Sequence, residues 1–204
     1  MLFRSISSSR AVVSSTKNAL VVSDLPFGSY ESSPEQALET GVRFFKEASP
    51  QAVKLEGGIK VIPQIKKLIA AGIPVMGHLG LTPQSVHALG GFKVQGRGEA
   101  GNQIIADALA LEEAGVFALV LELVPQDLAE EISKKLTIPV IGIGAGSGCD
   151  AQVLVTSDLL GLTKNPPKLA KAYRNLRVEM ENAITEWATD VRNGKFPGPE
   201  QSFN

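Results

Sequence analysis

The sequence predicts a parallel α/β fold of the (β/α)₈-barrel type, and three observations carry that expectation. Short apolar runs alternate with amphipathic segments along most of the 204 residues, the pattern of strands joined by crossover helices. The runs are nearly continuous in apolar character, as in strands covered on both faces. Polar or charged residues close one run after another, and the rim at the strand ends is where barrel sites are built. Only six such runs are present, two short of a closed barrel.

The runs and their connections follow in order. Asn18 to Leu25 is an apolar run ending in Asp24 and punctuated by Pro26 and Gly28, read as a buried strand. Ser33-Pro34-Glu35-Gln36 is a capping box with Pro in the first turn. It opens a helix with Ala37, Leu38, Val42 and Phe45 on one face, ending near Ala48. Ala52 to Gly57, AVKLEG, is the second strand. Ile59 to Ala71 is a helix, with Ile62, Ile65, Leu68 and Ile69 at helical spacing and Gly72 as its stop. Pro74 to Leu79 is the third strand. Thr82-Pro83 after it reads as a hydroxyl cap and a first helical position. Four glycines with Lys93, Gln95 and Arg97 fill Gly90 to Gly98, a binding loop rather than core or helix. An imidazole, His78, with this cationic loop behind it points to a small anion as ligand.

The second half continues the alternation. Asn102 to Ala114 is a helix, Val116 to Val124 the fourth strand, and Pro125 to about Leu136 a helix. Pro139 to Ala145 is the fifth strand. Its Gly142-Ile143-Gly144-Ala145-Gly146 lacks the helix and the downstream acid of a dinucleotide turn, so small residues on a barrel strand explain it better. A sixth strand is expected within Gln152 to Leu162, centred on Leu154-Val155. Lys168 to about Asn193 reads as one long amphipathic helix through Leu169, Tyr173, Leu176, Met180, Ile184, Trp187 and Val191. The barrel domain is assigned to 18–204. Residues 1–17 form an atypical segment that lacks acids and is rich in serine. It reads either as a mitochondrial transit peptide or as a shortened helix of the domain.

Composition narrows the function classes. A net charge of −1 does not furnish the basic stripe of a nucleic-acid surface. No run approaches the ~18 apolar residues of a membrane span. The one cysteine, Cys149, permits no internal disulfide and fits a reducing compartment. The expected location is the mitochondrial matrix or the cytoplasm, not secretion.

The chemistry lies at the strand ends. Asp24, Lys54 with Glu56, His78 and Glu122 each interrupt an apolar run. Alternation along a strand turns Lys54 and Glu56 to one face, and Val120 and Glu122 likewise. Charges within apolar runs are costly unless paired, metal-bound or near water. An isolated acid of this kind is more often a structural ion-pair partner, but four strands repeating the placement carry more weight. Asp24 and Glu56 are hard oxygen donors suited to Mg²⁺. Lys54 and His78 suit the carboxylate of an α-keto acid, and Glu122 a general base. Lys93, Arg97 and His87 read as loop or surface residues, and Cys149 as an inert thiol.

These motifs resemble one family. VSDLPFGSY, VKLEGG, GHLGLTPQSV, GGFKVQGRG, DALALEEAG, LVLELVP, IPVIGIGAG and GKFPGPEQSF, in this order from about Ala19 to Phe203, resemble ketopantoate hydroxymethyltransferase. The resemblance implies a metal-dependent (β/α)₈ barrel of the phosphoenolpyruvate mutase-like type, usually a decamer. It implies transfer of a hydroxymethyl group from 5,10-methylenetetrahydrofolate to 3-methyl-2-oxobutanoate, giving ketopantoate for pantothenate synthesis. By motif position Asp24 looks like a metal and substrate ligand, and Glu56 a metal ligand, direct or through water. Lys54 and His78 look like keto-acid contacts, and Glu122 like the base at C3. The family's first two strands, with a VGDS-type motif, find no match ahead of Asp24. Phe92 and Gln201 stand where Tyr and His are expected. Two other functions fit the same residues: a non-catalytic, shortened member that binds α-keto acids or joins oligomers, and a barrel lyase or mutase acting on another α-keto acid. Open sheet edges lead us to expect poor solubility or obligate assembly.

Overall fold

A computed structural model describes residues 1–203. The chain forms two compact units, 1–153 and 154–204. The first holds the helices α1 (Leu2–Ser15), α2 (Pro34–Glu47), α3 (Ile62–Ala70), α4 (Ala100–Glu113) and α5 (Gln126–Lys135). Its strands are β1 (Val22–Asp24), β2 (Ala52–Lys54), β3 (Val75–Gly80), β4 (Ala118–Glu122), β5 (Val140–Ile143) and β6 (Ala151–Gln152). The second holds α6 (Thr156–Leu159) and α7 (Leu176–Arg192).

The six strands make one all-parallel sheet in the order β1-β2-β3-β4-β5-β6. A doubly wound sheet reverses its strand order at a switch point. This one never reverses, which is the progression of a (β/α) barrel, six strands of eight.

Local chemistry sets the helix ends. The Ser33 side chain accepts from the Gln36 amide at 3.1 Å and so caps α2. Gln36 reaches back to the Ser32 amide rather than to Ser33, so only half of the expected capping box forms. The core centres on Phe44, Leu55, Leu68, Leu119, Leu121 and Ile132, where the outer face of the sheet meets the helices. The fully buried aromatic of α2 is Phe44, not Phe45, which packs half-buried at the edge of the core. Phe44→Ala is expected to cost ~3–5 kcal/mol in urea unfolding; a loss under ~1 kcal/mol would show that the site collapses to fill the gap. At the N-terminus Ile6 of α1 is buried in the same core, and Ser9 shares a hydrogen bond with Ser23 of β1.

Three further sequence expectations change. Thr82 makes no cap bond, and only a short 3₁₀ turn, Pro83–Ser85, follows β3. The sixth strand is Ala151–Gln152; Leu154-Val155 lies beyond it, and Val155 is exposed. The long helix begins at Leu176, leaving Leu169 and Tyr173 outside it. The segment before it carries Lys168, Lys171 and Arg174 at a spacing of three, and Arg177 in the first turn of α7 continues the series. On a helix these would stack like charges on one face. Helix appears only where Arg177 meets Glu181 one turn on, at 2.7 Å.

Candidate active site

The register brings the strand-end residues together. Asp24 of β1 pairs with Lys54 of β2, Lys54 with Met76, His78 with Val120, and Gly80 with Glu122. Partners across a parallel pair face the same way, and side chains two apart on a strand share a face. Asp24, Lys54, His78 and Glu122 therefore project from one face, opposite the one on which Val53, Val75, Leu119 and Leu121 bury against helices. The ladder continues past β2, with Leu55 donating to the Met76 carbonyl and Gly57 to the His78 carbonyl. This holds Glu56 alongside β3.

The side chains form one connected cluster. Lys54 Nζ is 2.8 Å from Asp24 Oδ1 and 3.3 Å from His78 Nδ1. His78 Nδ1 is 3.7 Å from Glu56 Oε1, and His78 Nε2 is 3.3 Å from Glu122 Oε2. Exposure grades from an open rim, with the Asp24 side chain 48% accessible, to a buried floor of His78 and Glu56 at 4% each. All five residues singled out in the sequence thus lie in one place. The loop cations Lys93 and Arg97 do not; both are exposed, and Lys54 supplies the positive charge instead.

The protonation pattern follows from burial. An ammonium only donates, so the Lys54 contact makes His78 Nδ1 the acceptor and leaves the ring proton on Nε2. Burial lowers the pKa of His78, outweighing the pull of Glu122, so the ring is neutral at pH 7. Its Nε2–H is buried and within ion-pair distance of Glu122, yet it has no well-aligned hydrogen bond. It is a donor available to a ligand oxygen.

Glu56 is pushed the other way. Burial raises its carboxyl to about 7; the Gln84 amide and Lys54 oppose this, while Asp24 and Glu122 add to it. Its folded-state pKa thus exceeds the unfolded value of 4.5, and the native state binds more protons between those limits. Stability from this group is fully present below pH 4.5 and is lost as pH rises toward 7. Glu56→Gln is expected to be more stable than the parent chain at pH 8, by something on the order of 2–3 kcal/mol, and equal to it below pH 4.5. Urea midpoints across pH 4–8 check this; a gap independent of pH would contradict it.

Two residues not singled out from the sequence hold Glu56 in place. The Gln84 backbone N–H donates to Glu56 Oε2 at 2.9 Å, and its side-chain amide donates to the Leu25 carbonyl at 2.9 Å. The buried Tyr30 hydroxyl lies 3.2 Å from Gln84 Oε1 and 3.3 Å from the Glu56 amide nitrogen. The Pro83–Ser85 turn is in this way tied to the ends of β1 and β2. Both lie within the motifs VSDLPFGSY and GHLGLTPQSV, but periodicity gives neither a role, because their partners lie 26 and 28 residues away.

The donor set bears on a metal. Among the described residues no three His, Cys, Asp or Glu side chains are disposed as a protein-only cage. Mg²⁺ does not require one, since it keeps several waters and takes one or two carboxylates. Asp24 is half-exposed and contacts Lys54 through Oδ1. The carboxylates of Asp24 and Glu122 act on Glu56 as like charges, a crowding that a cation relieves.

Comparisons with known proteins bear on the family and the fold. The family model for ketopantoate hydroxymethyltransferase matches residues 2–199. The chain is 56% identical over 195 residues to the 3-methyl-2-oxobutanoate hydroxymethyltransferase of Nocardioides sp. (strain ATCC BAA-499 / JS614), covering 95% of this chain and 66% of that one. The same identity holds for the Rhodococcus jostii (strain RHA1) and Frankia alni relatives, with 68% and 64% of their lengths covered. The chain therefore spans about two thirds of the length of the curated relatives it matches. Among solved structures, phosphonopyruvate hydrolase in complex with oxalate and Mg²⁺ has a TM-score of 0.55 at 15% identity, covering 100% of this chain and 71% of that one. Oxaloacetate acetylhydrolase in complex with 3,3-difluorooxalacetate has a TM-score of 0.54 at 10% identity, covering 100% and 70%.

Proposed function

The chain belongs to the ketopantoate hydroxymethyltransferase family, and from that premise we propose that its strand-end cluster serves one-carbon transfer to 3-methyl-2-oxobutanoate. The one-carbon donor in this reading is 5,10-methylenetetrahydrofolate. A carbon–carbon bond forms between C3 of the keto acid and the donor's methylene carbon. Water supplies the hydroxyl, tetrahydrofolate leaves, and ketopantoate is the product. The observation that supports this most is the Asp24–Lys54–His78–Glu122 network, with its buried and unaligned His78 Nε2–H.

Each side chain has a task that follows from its surroundings. The Lys54 ammonium neutralises the carboxylate of the keto acid near the rim. His78, neutral and protonated at Nε2, donates to a ligand oxygen at the floor. Glu122, 3.3 Å from the His78 ring, takes the C3 proton. Asp24 and Glu56 would hold Mg²⁺, which when bound polarises the keto-acid oxygens. The apolar residues under the cluster exclude water and strengthen these interactions. Assembly with further copies of the chain, as a homo-oligomer, is part of the same proposal. It would cover the open edges at β1 and β6.

The test is ketopantoate formation by the purified chain from 3-methyl-2-oxobutanoate, 5,10-methylenetetrahydrofolate and Mg²⁺. Product that requires all three is the expected result. Keto-acid binding without turnover would identify a non-catalytic member, and a different product would identify a lyase or mutase. Asp24→Asn is expected to raise the Mg²⁺ concentration for half-maximal keto-acid binding more than Glu56→Gln does. Equal titrations would contradict the division of labour between the two carboxylates.

A further inference from the structure

The second unit carries a concentrated positive charge that the chemistry above does not use. Residues 159–178 contain five of the chain's 20 Lys and Arg and none of its 21 Asp and Glu, in a chain whose net charge is −1. Five like charges within 14 residues repel one another, and the fold does not disperse them. Three of them, Lys164, Arg174 and Arg177, line a cleft of about 430 Å³ whose walls also include Gly161, Thr163 and Tyr173.

The cleft is stitched in shape. Tyr173 N–H donates to the Leu159 carbonyl at 2.8 Å, Leu176 N–H to that of Leu160 at 3.1 Å, and Arg177 N–H to that of Gly161 at 3.4 Å. Gly161 has φ +70°, and a Cβ there would stand 2.1 Å from the Arg174 carbonyl oxygen. Only glycine permits so close an approach of the two walls. Arg174 Nη1 donates to the Tyr173 carbonyl at 2.7 Å, which fixes its guanidinium. Lys171 Nζ lies 4.9 Å from the centre of the Tyr173 ring. Of the five cations, Arg177 pairs with an acid, Glu181. A polar cleft of this volume suits a small molecule, and the Arg174 guanidinium together with the Lys164 ammonium in its lining matches phosphate oxygens.

We propose that this cleft binds the phosphate groups of a small phosphorylated molecule bearing two or more of them. The ligand's charge offsets the repulsion among the cleft-lining Lys164, Arg174 and Arg177, and the Arg174 fork fixes its orientation.

Calorimetric titration of the full chain with inorganic pyrophosphate tests this, with ADP as a second arm. Saturable pyrophosphate binding that weakens with added salt is expected. Tighter ADP binding would place a nucleoside on the site, and equal affinity would mean that the phosphates alone are read. Lys164→Glu and Arg174→Gln, both at exposed positions, are each expected to weaken binding about tenfold or more with unchanged circular dichroism. Lys134→Glu on α5 is expected to leave it unaltered. No saturable binding, equal affinity for citrate and pyrophosphate, binding only of oligonucleotides, or indifference to both cleft substitutions would each overturn the assignment.

Discussion

Glu122→Gln is expected to lower ketopantoate formation about a thousandfold while leaving the thermal midpoint within a degree or two. Loss of a positioned base typically removes ~10²–10⁴ of rate. The substitution preserves volume, and the Gln carbonyl oxygen can still face His78 Nε2. Packing around β4 stays as it is, because Leu119 and Leu121 bury on the other face. What disappears is the capacity to accept a proton 3.3 Å from the imidazole. Binding of 3-methyl-2-oxobutanoate is expected to survive, since the proposed contacts to it come from Lys54 and His78. Turnover within tenfold of the parent would remove Glu122 from the role of base.

The second large effect is structural. Gly80 closes β3 at φ +89°, and a Cβ there would lie 2.2 Å from the Glu122 carbonyl oxygen and 2.8 Å from Val124 Cγ1. The carbonyl cannot retreat freely, because it accepts from the Leu81 amide at 2.7 Å. The next residue, Leu123, already sits at φ +47°, a conformation unfavourable for a side chain of that kind. Its carbonyl accepts from Gln95 of the glycine-rich loop at 2.8 Å. Gly80→Ala is therefore expected to cost at least ~2 kcal/mol in stability and to displace Glu122 from His78. Urea unfolding together with the activity assay checks both. A variant as stable and as active as the parent would show that the β3–β4 junction has slack that its geometry does not suggest.

The parts of this molecule legible in the sequence are those whose cause is local. A charged residue closing an apolar run marks a strand end whatever the rest of the chain does, so Asp24, Lys54, Glu56, His78 and Glu122 stand out before any coordinates. Their convergence follows from a parallel register that advances one strand at a time. Features with distant causes were not legible. Phe44 and Phe45 are adjacent and equally apolar, and which one turns inward depends on where α3 meets α2. Leu154-Val155 has the composition of a strand, but the ladder ends where Val153 donates to the Gly142 carbonyl. The start of α7 depends on charge repulsion and on amide donors drawn back to Leu159 and Leu160. Periodicity of apolar residues registers neither. Tyr30 and Gln84 hold Glu56 through contacts across the sheet, for which a single sequence carries no pattern.

Exchange of the C3 proton of 3-methyl-2-oxobutanoate for deuterium tests most directly whether these strand ends act together on one keto acid. The measurement is proton NMR in D₂O with Mg²⁺ and without any folate, so that only substrate binding and proton removal are read. Expected is enzyme-dependent loss of the C3 signal, abolished in Glu122→Gln and diminished in Asp24→Asn and when Mg²⁺ is chelated. Exchange that proceeds equally in Glu122→Gln, or a bound keto acid that never exchanges, would contradict it.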